Sequence, residues 1–387
     1  MDILARFYTQ ETFSQLLVEH IDEQNPNTVL DLGVGNGSLI RAAYNKWGDA
    51  EFIAADIDRR SVIKINSELP FIKVYHANGL KMDVEKSIAL GKSTIDIAVC
   101  NPPYLSVKDK KPFEQLLQEA SLTECLRLNK ITSDIVFLAQ NLKLLRSRGQ
   151  LGIILPDSVL TGKDFHLLRE SILKHHKVRA LIELPPGIFS KTEAKTHILL
   201  IEKESESSVK VPLLIAGTDG KCFDQIEVES NSLGERMDYS FHKYRLKPKS
   251  RHAKLGDFKV QLLRGNRGNN ELRELRAHFI HSTSFKHGDL IDCKYHRSYK
   301  KYTMAEEGDI VIVRVGRGCV GKAALIGKGR LPISDCVYVI KADQHVVKGL
   351  WSFISSEEGR EWVAAYSHGV CSKVLSRADI LNLHIPL

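Results

Sequence analysis

The tetrapeptide Asn101-Pro102-Pro103-Tyr104 follows directly on an apolar run, 95–100, and holds the residue types that one demanding reaction needs. An exocyclic or amide NH2 is a poor nucleophile because its lone pair is delocalised. Two fixed acceptors, the Asn101 side-chain oxygen and the Pro102 carbonyl, can take its two hydrogens. The lone pair is then concentrated on nitrogen, where it can attack an electrophilic methyl group. Prolines stiffen such a turn and remove N–H donors that would compete, and Tyr104 offers an aromatic face to a planar substrate. No general base is needed, because the proton leaves only as the N–C bond forms.

A second motif lies upstream. Asp31, Gly33, Gly35 and Gly37 are spaced D-x-G-x-G-x-G between an apolar run, 29–32, and a helical stretch that begins near Ser38. Glycines suit a loop that must turn sharply and let a nucleotide-like ligand approach the backbone. The spacing differs from the dinucleotide pattern G-x-G-x-x-G. About twenty residues on, the run 52–55 leads into Asp56-Ile57-Asp58, where a carboxylate can accept from both hydroxyls of a ribose. A carboxylate there can equally cap the helix starting at Arg59. Asp56 is assigned to the ribose, Asp58 to the helix start and Ile57 to an adenine face.

These motifs need a frame that brings loop ends together. Short apolar runs at 29–32, 52–55, 72–75, 95–100, 151–155, 180–184 and 197–201 read as buried strands separated by helical patterns. Such alternation implies a mainly parallel sheet covered on both faces, an α/β fold. Within it, Ser133 and Asp134 are expected to cap a helix over 133–145 and make its first turn negative. His175-His176 ends a basic helix and reads as a solvated face. A polar break, 202–209, follows the last of these strands. A basic, proline-containing stretch, 244–254, marks a boundary, with domains at 1–245 and 246–387; beyond it the texture becomes short strands rich in glycine.

The chain has 387 residues. A single core stops growing near ~250–300 residues, so two domains are expected. No apolar stretch approaches the ~20 residues of a membrane span, and the first residues lack the apolar run of a signal peptide. A cytoplasmic protein without membrane contact follows. Seven scattered cysteines, never paired as C-x-x-C, fit reduced thiols and give no metal-ligand spacing; no metal is expected. Charge is uneven: 246–387 holds 24 Lys+Arg against 14 Asp+Glu, whereas 1–245 holds 31 against 33. Positive charge confined to the last third is what a phosphate backbone attracts.

Taken together, the glycine motif, NPPY and the basic last third resemble the adenine-N6 DNA methyltransferases that use S-adenosyl-L-methionine. The resemblance implies a Rossmann-like catalytic domain and a C-terminal α+β target-recognition domain. It places Tyr8 and Thr9, in a segment similar to the family's F-Y-T-P, near the methionine end of the cofactor, with Gln10 replacing the proline. Asn78, in His76-Ala77-Asn78-Gly79, falls where the family binds the cofactor's adenine amine. Asp31, Gly33, Gly35, Gly37, Asp56, Ile57 and Asn101 complete the expected cofactor set, and Asn101, Pro102 and Tyr104 the catalytic set.

The segments 149–160 and 184–189, with Lys195-Thr196, resemble the modification subunits of type I restriction systems. By that resemblance Pro103, Phe189 and Lys195 line the pocket for an extruded base. The last third resembles a half-specificity subunit, through Gly308-Asp309-Ile310, Arg314-Val315-Gly316, Gly321-Lys322, Ser334-Asp335 and 367–370. DNA contacts are expected from Arg264, Arg267, Lys294, Arg297, Lys300, Lys301, Arg314, Arg317 and Lys322, by phosphate or base-edge bonding. The implied partners are double-stranded DNA and a separately encoded restriction endonuclease. The implied state, given no spacer helix before Leu387, is a monomer with a short or one-part site. The same NPPY chemistry would serve RNA adenine or a protein glutamine amide, and a DNA-binding specificity protein that no longer catalyses would share the fold.

Overall fold

The computed structural model describes residues 9–188, 195–247, 252–274, 278–295, 301–369 and 372–386. The chain divides into two compact units, Met1–Tyr239 and Ser240–Leu387.

The first unit is built on a nine-stranded, mostly parallel sheet: β1 (Thr28–Leu32), β2 (Glu51–Asp56), β3 (Lys73–His76), β4 (Ile95–Cys100), β5 (Leu145–Pro156), β6 (Lys177–Glu183), β7 (Thr196–Glu202), β8 (Lys210–Ala216) and β9 (Cys222–Glu229). Their order is β3-β2-β1-β4-β5-β7-β6-β8-β9. β4 is buried at all six positions, as continuous apolar runs in the middle of a covered sheet must be. The chain winds outward from β1 to β3 and then returns to place β4 on the other side of β1. That reversal opens a crevice at the carboxyl ends of β1 and β4, where open α/β sheets bind ligands. The register Asp31↔Val99 sets the two ends level, and the Cys100 thiol donates to the Leu32 carbonyl at 3.2 Å.

Helices cover both faces. On one lie α1 (Glu11–Glu19), α2 (Ser38–Lys46) and α3 (Arg59–Glu68), whose Leu17, Ile40 and Ile65 are buried with Val29 and Val99. On the other lie α4 (Val84–Ser87), α5 (Glu114–Glu119), α6 (Ser133–Leu144), α7 (Asp157–Thr161) and α8 (His166–His175). All twelve residues of α6 are buried. Two expectations fail here. The N-cap of α6 is Thr132, whose side chain makes no cap bond, and the Ser133 hydroxyl is turned to the chain after Pro102 instead, though Asp134 lies in the first turn as expected. His176 is fully buried: its Nε2 lies 3.1 Å from the Ala120 carbonyl and its Nδ1 accepts from the Glu204 N–H at 3.3 Å.

Burial lowers the His176 pKa to about 4, against an ordinary value near 6.5. The unfolded chain therefore binds the proton first as pH falls below 6.5, and stability declines until the folded pKa is passed. About 2 kcal/mol should be lost between pH 7 and pH 5 from this group. Asp134, raised to about 6 mainly by burial, works in the opposite sense. Urea unfolding at the two pH values should show a shallower pH dependence in His176→Gln than in the wild type by about that amount. Equal pH dependence would refute the assignment.

The second unit has a six-stranded sheet in which Gln261–Arg264, Val337–Lys341, Ile310–Val313, Ala323–Pro332 and Asp289–Tyr295 lie in that order, with Met304–Glu306 beside Ala323–Pro332. Helices Gln344–Ser355 and Glu357–Tyr366 contribute Leu350, Phe353 and Trp362 to a core with Ile310, Ile312 and Ile340. Among the described residues no helix is long and apolar enough to cross a membrane.

Candidate active site

The glycine loop leaves β1 with Gly33, Gly35 and Gly37 at φ of +94°, +53° and +83°, a region where a side chain is strained. The N–H groups of Gly33 and Val34 donate to the Ala55 carbonyl at 2.8 and 3.0 Å, clamping the loop to β2. Asp56, at the end of β2, accepts from the Gly35 N–H (2.8 Å) through Oδ2 and from the Asp58 N–H (2.7 Å) through Oδ1. Asp58 caps α3 by accepting from the Arg60 N–H at 3.0 Å. The side chain of Ile57 projects into solvent at 46% exposure, and its carbonyl lies 2.9 Å from His76 Nε2. Asp31 is buried, and burial followed by the Asp56 charge pushes its pKa well above the ordinary carboxylate range.

Asn78 closes the turn after β3, its Oδ1 accepting from the Leu80 N–H at 3.0 Å. Beneath that turn and beneath Gly33 lies the ring of Phe137 from α6. A Cβ at Gly79 would stand 2.6 Å from its Cζ and 2.8 Å from its Cε1, and a Cβ at Gly33 would stand 3.3 Å from Cε1. Gly79→Ala must therefore displace a packed ring that also backs the glycine loop. The expected cost is about 1–3 kcal/mol, with weakened binding of any ligand seated on both turns. Thermal unfolding and ligand titration of Gly79→Ala test this, and wild-type behaviour in both would contradict it.

Asn101 leaves the end of β4 half-buried, with its amide held at both ends. Nδ2 donates to the buried Thr9 hydroxyl at 2.9 Å, and Oδ1 accepts from the Tyr104 hydroxyl at 3.1 Å. Burial, followed by the carboxylate of Asp134, pushes the Tyr104 pKa well up, so the phenol keeps its proton and can donate. The Ser133 hydroxyl donates to the Pro103 carbonyl and accepts from the Leu105 N–H, the latter at 2.8 Å. Gln10 Nε2 donates to the Ile188 carbonyl at 2.7 Å, and a cleft of about 440 Å³ runs past Thr9, Gln10, Asn36, Ser38 and Ile188. The segment before α1 thus touches the amide of Asn101, the glycine-loop side and the residues leading toward 189.

Lys195 lies in a charge network. It is 8% exposed, with Nζ 2.8 Å from Glu183 Oε1 and 3.9 Å from Asp157 Oδ1. Burial works against its charge, but Glu183 and Asp157 outweigh it and raise its pKa. His197 Nε2 is 2.9 Å from Asp157 Oδ1, and Arg236 pairs with Asp238 through two bonds of 2.8 and 2.9 Å. Tyr8, Phe189, Arg297 and Lys300 lie outside the described residues. Among the described residues no cluster of three His, Cys, Asp or Glu could hold a metal ion.

In the second unit several expected cations meet at one turn. Arg264 Nε and Arg314 Nη1 donate to the Asp335 carbonyl at 3.1 and 3.2 Å, and the Asp335 N–H donates to the Arg267 carbonyl at 2.8 Å. Arg267 lies over the Tyr302 ring (5.9 Å) and Arg314 over Tyr338 (5.5 Å). The Lys301 carbonyl accepts from Asn266 at 2.7 Å. Arg317 and Lys322 flank the glycine turn that follows Arg314, while Lys294 stands on the strand Asp289–Tyr295 at the sheet edge.

Residues 4–237 match the family described as N-6 DNA Methylase. The methylase subunit of the type I restriction enzyme EcoEI from Escherichia coli is 21% identical over 217 residues, 51% of this chain and 42% of that one. The type II methyltransferase M.BsuBI from Bacillus subtilis is 28% identical over 200 residues, 44% of this chain and 38% of that one. The chain thus spans about two fifths of the length of these relatives. Among solved structures, the type IIG restriction endonuclease BpuSI aligns with a TM-score of 0.54 at 13% identity, over 98% of this chain and 58% of that one, a likeness of fold.

Proposed function

The chain belongs to the N-6 DNA methylase family, and from that premise we propose that it transfers a methyl group from S-adenosyl-L-methionine to N6 of an adenine turned out of duplex DNA. The observation that carries this reading is the Asn101 amide, held between Thr9 and Tyr104 at the crevice where β1 and β4 end.

The residues around the glycine loop fit the cofactor. Positive-φ glycines leave backbone room, the exposed Ile57 gives an apolar face, and each Asp56 oxygen has a further lone pair for a ribose hydroxyl. Gly33, Gly35, Gly37, Asp31, Asp56, Ile57, Asn78 and Thr9, with Tyr8, would hold it. When bound, S-adenosylmethionine supplies an electrophilic methyl on sulfur. Asn101 Oδ1 and the Pro102 carbonyl accept the two hydrogens of the adenine amine, and Tyr104 and Pro103 seat the ring. Catalysis is then mainly the fixed alignment of nitrogen with the methyl.

Turning the base out costs a few kcal/mol. In the second unit, the Arg264, Arg267, Arg314 and Lys301 turn, with its stacked tyrosines, has the guanidinium and aromatic chemistry for phosphate and base-edge contacts. A role beside a separately encoded restriction endonuclease is in keeping with the names of the relatives. Transfer of radiolabelled methyl to duplex DNA, RNA and protein in parallel tests the proposal. Label on N6 of adenine in DNA is expected; label only on RNA or on glutamine would replace it, and none on any polymer would leave a DNA-binding specificity protein.

A further inference from the structure

We propose that Ser133 is a positioning residue for methyl transfer, locking Tyr104 from behind so that its hydroxyl holds Asn101 in place; this rests on the catalytic reading above. Serine has one hydroxyl hydrogen and two lone pairs, and here the direction of each bond is unambiguous. The Leu105 N–H can only donate, so Ser133 Oγ accepts from it, at 2.8 Å. The Pro103 carbonyl can only accept, so the same hydroxyl donates its hydrogen there.

Those two groups belong to the peptide units on either side of Tyr104. One buried hydroxyl therefore pins both planes that determine where the Tyr104 ring and its oxygen point. A third bond, from the Ser133 N–H to the Leu105 carbonyl at 2.9 Å, joins the loop to the first turn of α6. The bridge between Ser106 and Thr132 extends that junction by one step. Tyr104 in turn donates to Asn101 Oδ1 at 3.1 Å, and Asn101 sits where the reacting amine is placed. Ser133 itself is fully buried and touches none of the reacting groups, so its influence passes through Tyr104.

Removing the hydroxyl leaves a half-buried N–H and a half-buried carbonyl without this partner, and the loop must shift to find others. Ser133→Ala should lower kcat about 10- to 30-fold, while the dissociation constant for S-adenosylmethionine, by calorimetry, stays within about threefold. Ser133→Thr, which keeps an oxygen at the same place, should restore most of the rate. Tyr104→Phe keeps the clamp but loses the hydroxyl, and should lose rate comparably. The double variant Ser133→Ala/Tyr104→Phe should then be far less damaged than the product of the two single losses.

A readout independent of activity is hydrogen exchange at the Leu105 amide, which should quicken at least 10-fold in Ser133→Ala and return in Ser133→Thr. A wild-type kcat in correctly folded Ser133→Ala, losses that multiply in the double variant, or unchanged exchange at Leu105 would each overturn the proposal. If the wild type methylates no DNA, the catalytic reading fails. The exchange experiment still decides whether the clamp exists.

Discussion

Replacing Asn101 by alanine lowers kcat for methyl transfer by about 10²–10³-fold, the range seen when one preorganised polar partner of a developing charge is removed. On the proposed reading the amide accepts from the reacting amine, and Thr9 and Tyr104 hold it in place. Cofactor and DNA dissociation constants should change by less than about threefold, because alanine keeps the backbone and leaves the Gly33–Gly37 loop and Asp56 untouched. Single-turnover rates at saturating cofactor, beside equilibrium binding, separate the two effects. A rate within threefold of wild type would remove Asn101 from the chemistry. A loss confined to cofactor affinity would make it a binding residue only.

The second large effect is on stability. Lys195→Met removes a cation 2.8 Å from Glu183 in a site where both side chains are buried. Breaking one half of a buried pair costs about 3–5 kcal/mol, because the other charge is left in a poor medium. For a unit of this size that corresponds to a fall in Tm of roughly 10 °C. The same pair joins the ends of β6 and β7, together with the Leu184 N–H to Thr196 carbonyl bond of 3.0 Å. The paired change Glu183→Leu/Lys195→Met should recover most of the stability. Calorimetric unfolding of the single and double variants tests this, and a Tm unchanged in Lys195→Met would show that the pair holds nothing.

The parts legible in the sequence were those fixed by local pattern. The strand at 95–100, the glycine loop and the helix start at Asp58 all depend on neighbours within a few residues, and Asp58 caps α3 as its spacing implies. What escaped depends on partners far along the chain. Ser133 reads locally as a cap, yet its hydroxyl answers to Pro103 and Leu105. His176 sits among basic residues, yet packs beneath Ala120. The pairing of Lys195 with Glu183 and Asp157, on other segments, is likewise not visible locally.

β8 and β9 were missed for a different reason. The polar stretch 202–209 reads as the end of the sheet, and β9 turns Phe223, Gln225, Glu227 and Glu229 outward, a mixed face with little hydrophobic contrast to its inner one.

One helix underlies both halves of the candidate site. Phe137 of α6 backs Gly33 and Gly79, where the methyl donor would rest, and Ser133, one turn earlier, grips the chain that presents the acceptor. Donor and acceptor platforms are thus mounted on a single rod four residues long, about 6 Å of helix. On the proposed reading, the gap a methyl would cross is the opening of a calliper with a common spine. Substitutions in the turn that holds Ser133 and Phe137 should then disturb both platforms together.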